Sequence, residues 1–120
     1  VAEALEKNSA LENVSYPFLK SHPHYAIAKK QMKAGGGIIT ITVKGGYEAA
    51  KKFMDKLQMI KISPNLGDVR SIATHPASST HCKLSEEERL SVGITPGLIR
   101  ISIGLEHKDD ILNDIEQALK

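Results

Sequence analysis

Apolar and polar positions change period several times along the chain, and each change marks an element. In GGGIITITV, Ile39, Ile41 and Val43 alternate with Ile38, Thr40 and Thr42, the period of a half-buried strand. GGYEAAKKFMDKLQM then takes helical spacing. Tyr47, Ala50, Phe53, Met54 and Leu57 fall on one stripe, and Glu48 and Lys52 form an i,i+4 pair on the wet side. A second helix is predicted from about Asp109 to Leu119, with acids in its first turn and a stripe of Ile111, Leu112, Ile115, Ala118 and Leu119. Ser85-x-x-Glu88 is a capping box, and the helix it opens ends near Gly93. Another helix starts after Pro23, carries Tyr25, Ile27, Ala28 and Met32, and stops at Gly35. Val1 to Leu11 reads as the end of a helix. ENVSYP, IKIS, SIATH and LIRISI are short strands.

Strands alternate with few, one-sided helices. The expected fold is a two-layer α+β domain: one mixed or mainly antiparallel sheet with helices on one face. The chain has 120 residues, 41% apolar and 25% charged, enough for one modest core. A net charge of +2 without a basic stripe, and 4% aromatic residues, argue against nucleic-acid binding. No run approaches a membrane span and no secretory signal is visible. The single cysteine, Cys82, excludes an internal disulfide and fits a reducing cytoplasm. The first residue is Val1, not Met, which suits a processed piece or an excised domain.

Most candidate chemistry has a structural alternative that is preferred. AGGG (Ala34 to Gly37) and KGG (Lys44 to Gly46) lack the spacing of a phosphate loop and read as junction glycines. His75, His81 and Cys82 match no zinc spacing, so no metal site is expected. His81 beside Cys82 has no orienting third group. The histidines of SHPHY read as solvent-facing. Arg100 is different. In LIRISI, Ile99, Ile101 and Ile103 share one face while Leu98, Arg100 and Ser102 share the other. A guanidinium in such a strand needs an anionic partner. One reading gives it Glu106 or Asp68 of its own chain. The other has it clamp the carboxylate of a small ligand in a two-pronged grip, helped by the Asn-Leu-Gly-Asp turn.

HPASSTH, LSEEERLSVGI and GLIRISIGLE, in this order, with YPFLKSHPHYAIAKKQM and KGGYEAAKKFMDKL upstream, closely resemble the Cys/Met-metabolism family of pyridoxal-phosphate (PLP) enzymes. The resemblance is to the small C-terminal domain of that fold-type I family and covers essentially all residues. It implies residues 1–11 as the end of an inter-domain helix and 12–120 as the small domain, with the large PLP-binding domain absent. NLGDVRS resembles the O-acetylhomoserine sulfhydrylases within the family, whereas the cystathionine enzymes carry a serine where Asn65 stands.

The resemblance implies that Arg100 holds the substrate α-carboxylate, that Asn65 makes a second contact with it, and that Thr80 stands beside the same site. The family's Schiff-base lysine lies in a Ser-x-Thr-Lys-like motif that this sequence lacks. Its phosphate-binding turn, ring-stacking aromatic and pyridine-pairing aspartate are missing as well. The chain alone is therefore expected to hold no catalytic residue, bind no PLP and turn over nothing. The intact enzyme is expected to be a cytoplasmic homotetramer that exchanges the γ-acetoxy group of O-acetylhomoserine for sulfide or a thiol. The same domain of a cystathionine γ-synthase or methionine γ-lyase, a freestanding ligand-binding module, and a structural module that oligomerises through a bared face are the alternatives.

Overall fold

A computed structural model describes all residues from Val1 to Lys120. The elements run α1 (Ala2–Leu5), β1 (Leu11–Ser15), α2 (Tyr25–Gln31), β2 (Ile38–Val43), α3 (Gly46–Lys56), β3 (Lys61–Ile62), β4 (Ile72–Thr74), α4 (Glu86–Ser91), β5 (Leu98–Ser102) and α5 (Lys108–Leu119). A single 3₁₀ turn, Pro76–Ser78, follows β4. The sheet order is β1-β2-β5-β4-β3, antiparallel except for the β3–β4 pair. The expected α+β class and mainly antiparallel sheet are thus what the chain forms.

The register sorts side chains by face. Ile39 opposes Ile101, Ile41 opposes Ile99, and Ala73 also opposes Ile101. These residues face a layer made of Ala2 and Leu5 of α1, Ala50, Phe53 and Met54 of α3, and Ile111, Ile115 and Ala118 of α5. Each of the four isoleucines is at most 3% exposed, and burying one contributes about 1.5–3 kcal/mol. A slip of one residue in β5 would turn Ile99 and Ile101 outward and drive Arg100 into this layer, so the register is strongly specified. On the opposite face Arg100 lies between Thr40 and Thr74. The helices of the core occupy one face, as expected. Of α2 only Ala28 is buried, and of α4 nothing.

Two expectations are corrected. The first helix covers Ala2–Leu5 rather than reaching Leu11. The Asn8 side chain accepts from the Ala10 N–H at 2.9 Å, a local turn that competes with helix, and Leu11 is taken up by the sheet opposite Val43. The second helix ends at Gln31, because Met32 is already extended, and Ile27 and Met32 lie exposed. Of the glycines that follow, Gly35 is packed closely, since a Cβ on it would lie 2.5 Å from the Tyr16 hydroxyl, and Gly36 turns the chain at φ 82°. The capping box forms as read, with the Ser85 hydroxyl accepting from Glu88 N–H and the Glu88 carboxylate from Ser85 N–H.

Pattern reading missed Asp114, the only buried acid, on α5. It accepts from the backbone N–H groups of Gln58 (2.9 Å), Met59 (3.0 Å) and Ile60 (2.8 Å), and so anchors the chain entering β3. Burial pushes its carboxyl upward, but these donors, with the Gln117 amide, outweigh burial and hold it below the ordinary aspartate range. A lowered folded-state value means stability that is complete above the unfolded value and lost as pH falls through the folded one. Asp114→Ala should therefore destabilise by about 3 kcal/mol or more near neutral pH, since three N–H groups lose a charged acceptor. Measured by urea unfolding, the gap between wild type and variant should narrow below about pH 4.

Candidate substrate-carboxylate site

β3 and β4 run parallel, so the chain between them must cross over the sheet. It does so without a helix. Residues 63–71 pass along the face that carries Arg100, stitched to β5 and its extension. Gly67 N–H donates to Ser102 Oγ (2.9 Å), Leu105 N–H to the Val69 carbonyl (2.8 Å), and Gly104 N–H to Ser71 Oγ (2.9 Å). Close approach is possible because residue 104 has no side chain. A Cβ there would lie 2.4 Å from the Arg70 carbonyl carbon and the Ser71 nitrogen.

The crossover meets Arg100. Its Nη2 donates to the carbonyl oxygens of Pro64 (2.8 Å) and Asn65 (3.1 Å), while Nε and Nη1 have no partner in the chain. No carboxylate pairs with it: the only ion pairs are Arg70–Asp68 and His107–Asp109. The two acids considered from sequence are committed elsewhere. Asp68 accepts from the Arg70 backbone N–H (2.9 Å) and guanidinium (3.3 Å), and the backbone bond is the main reason its carboxyl lies below the ordinary range. Glu106 accepts from Ser71 N–H (2.8 Å) and Ser71 Oγ (2.8 Å). Burial raises the Glu106 carboxyl, and the Ser71 donors more than reverse it. Arg100 is thus a half-buried cation balanced by carbonyl dipoles, with three N–H donors unused.

Of the three residues named from sequence, the fold joins Arg100 and Asn65. The contact uses the Asn65 backbone carbonyl, not its amide. Thr80 is exposed and bonds the His81 ring at 2.8 Å; no hydrogen bond links it to Arg100 or Asn65. Its connection to the site is indirect, since neighbouring Ser79 Oγ bonds Thr74 Oγ1 (2.8 Å), and Thr74 flanks Arg100 in the sheet. Thr40, Thr74 and Ser102 were not singled out from sequence. The signal available was their place on the non-isoleucine face of their strands.

The remaining candidates resolve structurally. His75 is buried. Its Nε2 meets the Pro96 carbonyl (2.6 Å), which only accepts, so Nε2 carries a proton, and Nδ1 is hydrogen-bonded to Ser78 Oγ (2.8 Å). No group of three or more His, Cys, Asp or Glu is placed to hold a metal. Cys82 is exposed, and the His81 ring faces Thr80. Gly45 and Gly46 have φ of 102° and 68° and turn the chain from β2 into α3.

A half-buried arginine on the central strand, without an acid of its own, in a five-stranded sheet of this order, can be compared with known proteins. The model of the Cys/Met metabolism PLP-dependent enzymes matches residues 1–120. The chain belongs to this family. It is 49% identical over 122 residues to the O-acetyl-L-homoserine sulfhydrylase of Leptospira meyeri, covering 100% of this chain and 28% of that protein. Against the L-methionine gamma-lyase of Treponema denticola it is 48% identical, covering 99% and 30%. The crystal structure of cystathionine gamma synthase from Xanthomonas oryzae pv. oryzae, with aminoacrylate and cysteine, superposes with a TM-score of 0.91 at 37% identity, covering 98% of this chain and 30% of that one. A Campylobacter jejuni structure holding N′-pyridoxyl-lysine-5′-monophosphate gives 0.92 at 40% identity, covering 98% and 28%. The chain therefore spans under a third of the length of the relatives it matches.

Gly104 carries the site's geometry in a testable way. Gly104→Ala should lower stability by about 1–3 kcal/mol, because the new methyl meets fixed backbone rather than a flexible side chain. Urea unfolding checks this, and amide exchange at Ser71 and Gly67 should accelerate more than exchange at Ile41.

Proposed function

We propose that this chain is the domain that grips the α-carboxylate of an amino-acid substrate in a PLP-dependent enzyme most like O-acetylhomoserine sulfhydrylase. The observation that carries the reading is Arg100: a guanidinium on the central strand, held by two carbonyls, unpaired with any acid, and open at Nε and Nη1. Those donors suit a carboxylate, and the carbonyls of Pro64 and Asn65 fix the plane of the fork. The grip differs from the symmetrical one expected from sequence, because Nη2 is already engaged. Asn65 takes part through the turn it shapes, and Thr80 is included by its place in HPASSTH beside Ser79.

The cofactor is proposed to be held outside this segment, since the residues present do not fit it. Every lysine is exposed, whereas a Schiff-base lysine needs a recessed site. The one buried acid, Asp114, is occupied by backbone N–H groups and is not free to pair with a pyridine nitrogen. The remainder of the enzyme is the proposed partner, and exposed Leu66 (61%), Val69 (68%) and Leu105 (85%) on the crossover side are the surface it would cover. Homotetrameric assembly and a cytoplasmic location belong to the same proposal; no helix is long and apolar enough to cross a membrane. The comparisons do not bear out the expectation that the segment is C-terminal, and the proposal concerns the domain alone.

A methionine γ-lyase is the second reading, favoured by the 48% identity to such an enzyme. The full-length protein should convert O-acetylhomoserine and sulfide to homocysteine faster than it releases methanethiol from methionine; the reverse ranking selects the lyase. The 120-residue chain by itself should do neither. In the full-length protein, Arg100→Ala should raise KM for the amino acid about thirtyfold, the lower end of what losing one partner of a charge pair costs, as suits a half-exposed group. An unchanged KM with a large fall in thermal midpoint would make Arg100 structural.

A further inference from the structure

The carbonyls that hold Arg100 are presented by a segment with little packing of its own. β3 is a two-residue edge strand whose side chains, Lys61 and Ile62, are both exposed. Burial fixes the approach at Ile60, which is 2% exposed, but not the course from Lys61 onward, where polar anchors add the constraint. On its sheet side, Lys61 N–H donates to the Ser71 carbonyl (3.2 Å) and Ser63 N–H to the Ala73 carbonyl (3.0 Å). On its upstream side, Asp114 takes the N–H groups of Gln58, Met59 and Ile60. Gln117 secures that acceptor, its amide donating to Asp114 Oδ1 (3.0 Å) and to the Lys56 carbonyl (2.7 Å). Pro64 follows Ile60 by only four residues. The segment leaves the helical layer at Asp114, passes the sheet edge, and reaches the opposite face at Arg100.

We propose that Asp114 is a positioning residue for Arg100: by fixing the backbone at residues 58–60 it sets where the Pro64 and Asn65 carbonyls stand, and so the plane in which the guanidinium meets a carboxylate. The proposal rests on the reading of Arg100 as the carboxylate anchor. Asp114 never touches substrate. Its side chain lies in the helical layer with α3 and α5, and its influence runs through backbone alone. A role confined to folding would lower stability without altering which substrates bind. A positioning role alters recognition of the carboxylate specifically.

The test uses the full-length enzyme and the ratio of KM for the α-carboxamide of the substrate to KM for the amino acid itself. Arg100→Gln should bring this ratio close to one. Asp114→Asn should lower it about tenfold, through a higher KM for the amino acid, with kcat within about twofold and the carboxamide unaffected. Gln117→Ala, which loosens the acceptor and leaves the carboxylate in place, should lower the ratio about threefold and serves if Asp114→Asn does not fold. If Arg100→Gln collapses the ratio while the folded α5 variants keep the wild-type value, the positioning role is overturned and the anchor stands. If Arg100→Gln itself leaves the ratio intact, the anchor reading fails and this proposal falls with it.

Discussion

The constraint on which the site depends is the pair of hydrogen bonds from one guanidinium nitrogen to two successive carbonyls, Pro64 and Asn65. A cation on a central strand is normally either paired with an acid or displaced from the strand. Here it is neither. Half-burial leaves the guanidinium partly hydrated, so the penalty for lacking a counter-charge is modest. The two carbonyl dipoles orient the group without neutralising it. The register makes the arrangement hold, because four isoleucines on the other face of β2 and β5 oppose any slip that would move Arg100.

The turn bearing those carbonyls is itself held by a series of local acceptors. Glu106 takes the Ser71 donors, Ser102 the Gly67 N–H, and Asp114 the three N–H groups before β3. Each acid in this neighbourhood is spent on backbone or on Arg70, which leaves Arg100 without an acid. The parallel β3–β4 pair is the topological reason for this density of polar contacts. An ordinary parallel connection carries a helix that packs by burial. A bare loop of this length has no such surface and must be fixed by hydrogen bonds, and the close pass at Gly104 brings donors and acceptors within reach.

Elements whose evidence is local were legible in the sequence. The alternation of β2, the stripes of α3 and α5 and the capping box of α4 each sit within a dozen residues, and each forms. α1 and α2 fell short of their predicted ends: α1 gives way to the Asn8 turn and pairing with β2, and α2 is already extended at Met32. Arg100 was legible as an anomaly on its strand. What holds it was not, because a backbone carbonyl has no residue signature and lies 35 or 36 positions away. Asp114 looks like any acid in a polar stretch of helix. Its burial is decided by N–H groups more than 50 residues upstream that no side-chain pattern announces.

The absence of an internal acid beside Arg100 has a further consequence for recognition. A carboxylate of the same chain would compete with any incoming one at the high effective concentration that tethering gives, and displacing it would consume much of the binding energy. Carbonyls do not compete in that way: they occupy one nitrogen and leave the other two donating. Under the proposed reading, a ligand carboxylate would gain a charge-assisted contact without first breaking one, while a ligand lacking it would gain little, so discrimination would follow from what Arg100 leaves unpaired. The same logic accounts for Asp68 and Glu106. Each lies within a few residues of the site, and each is bound by closer donors that keep it from closing the opening on Arg100.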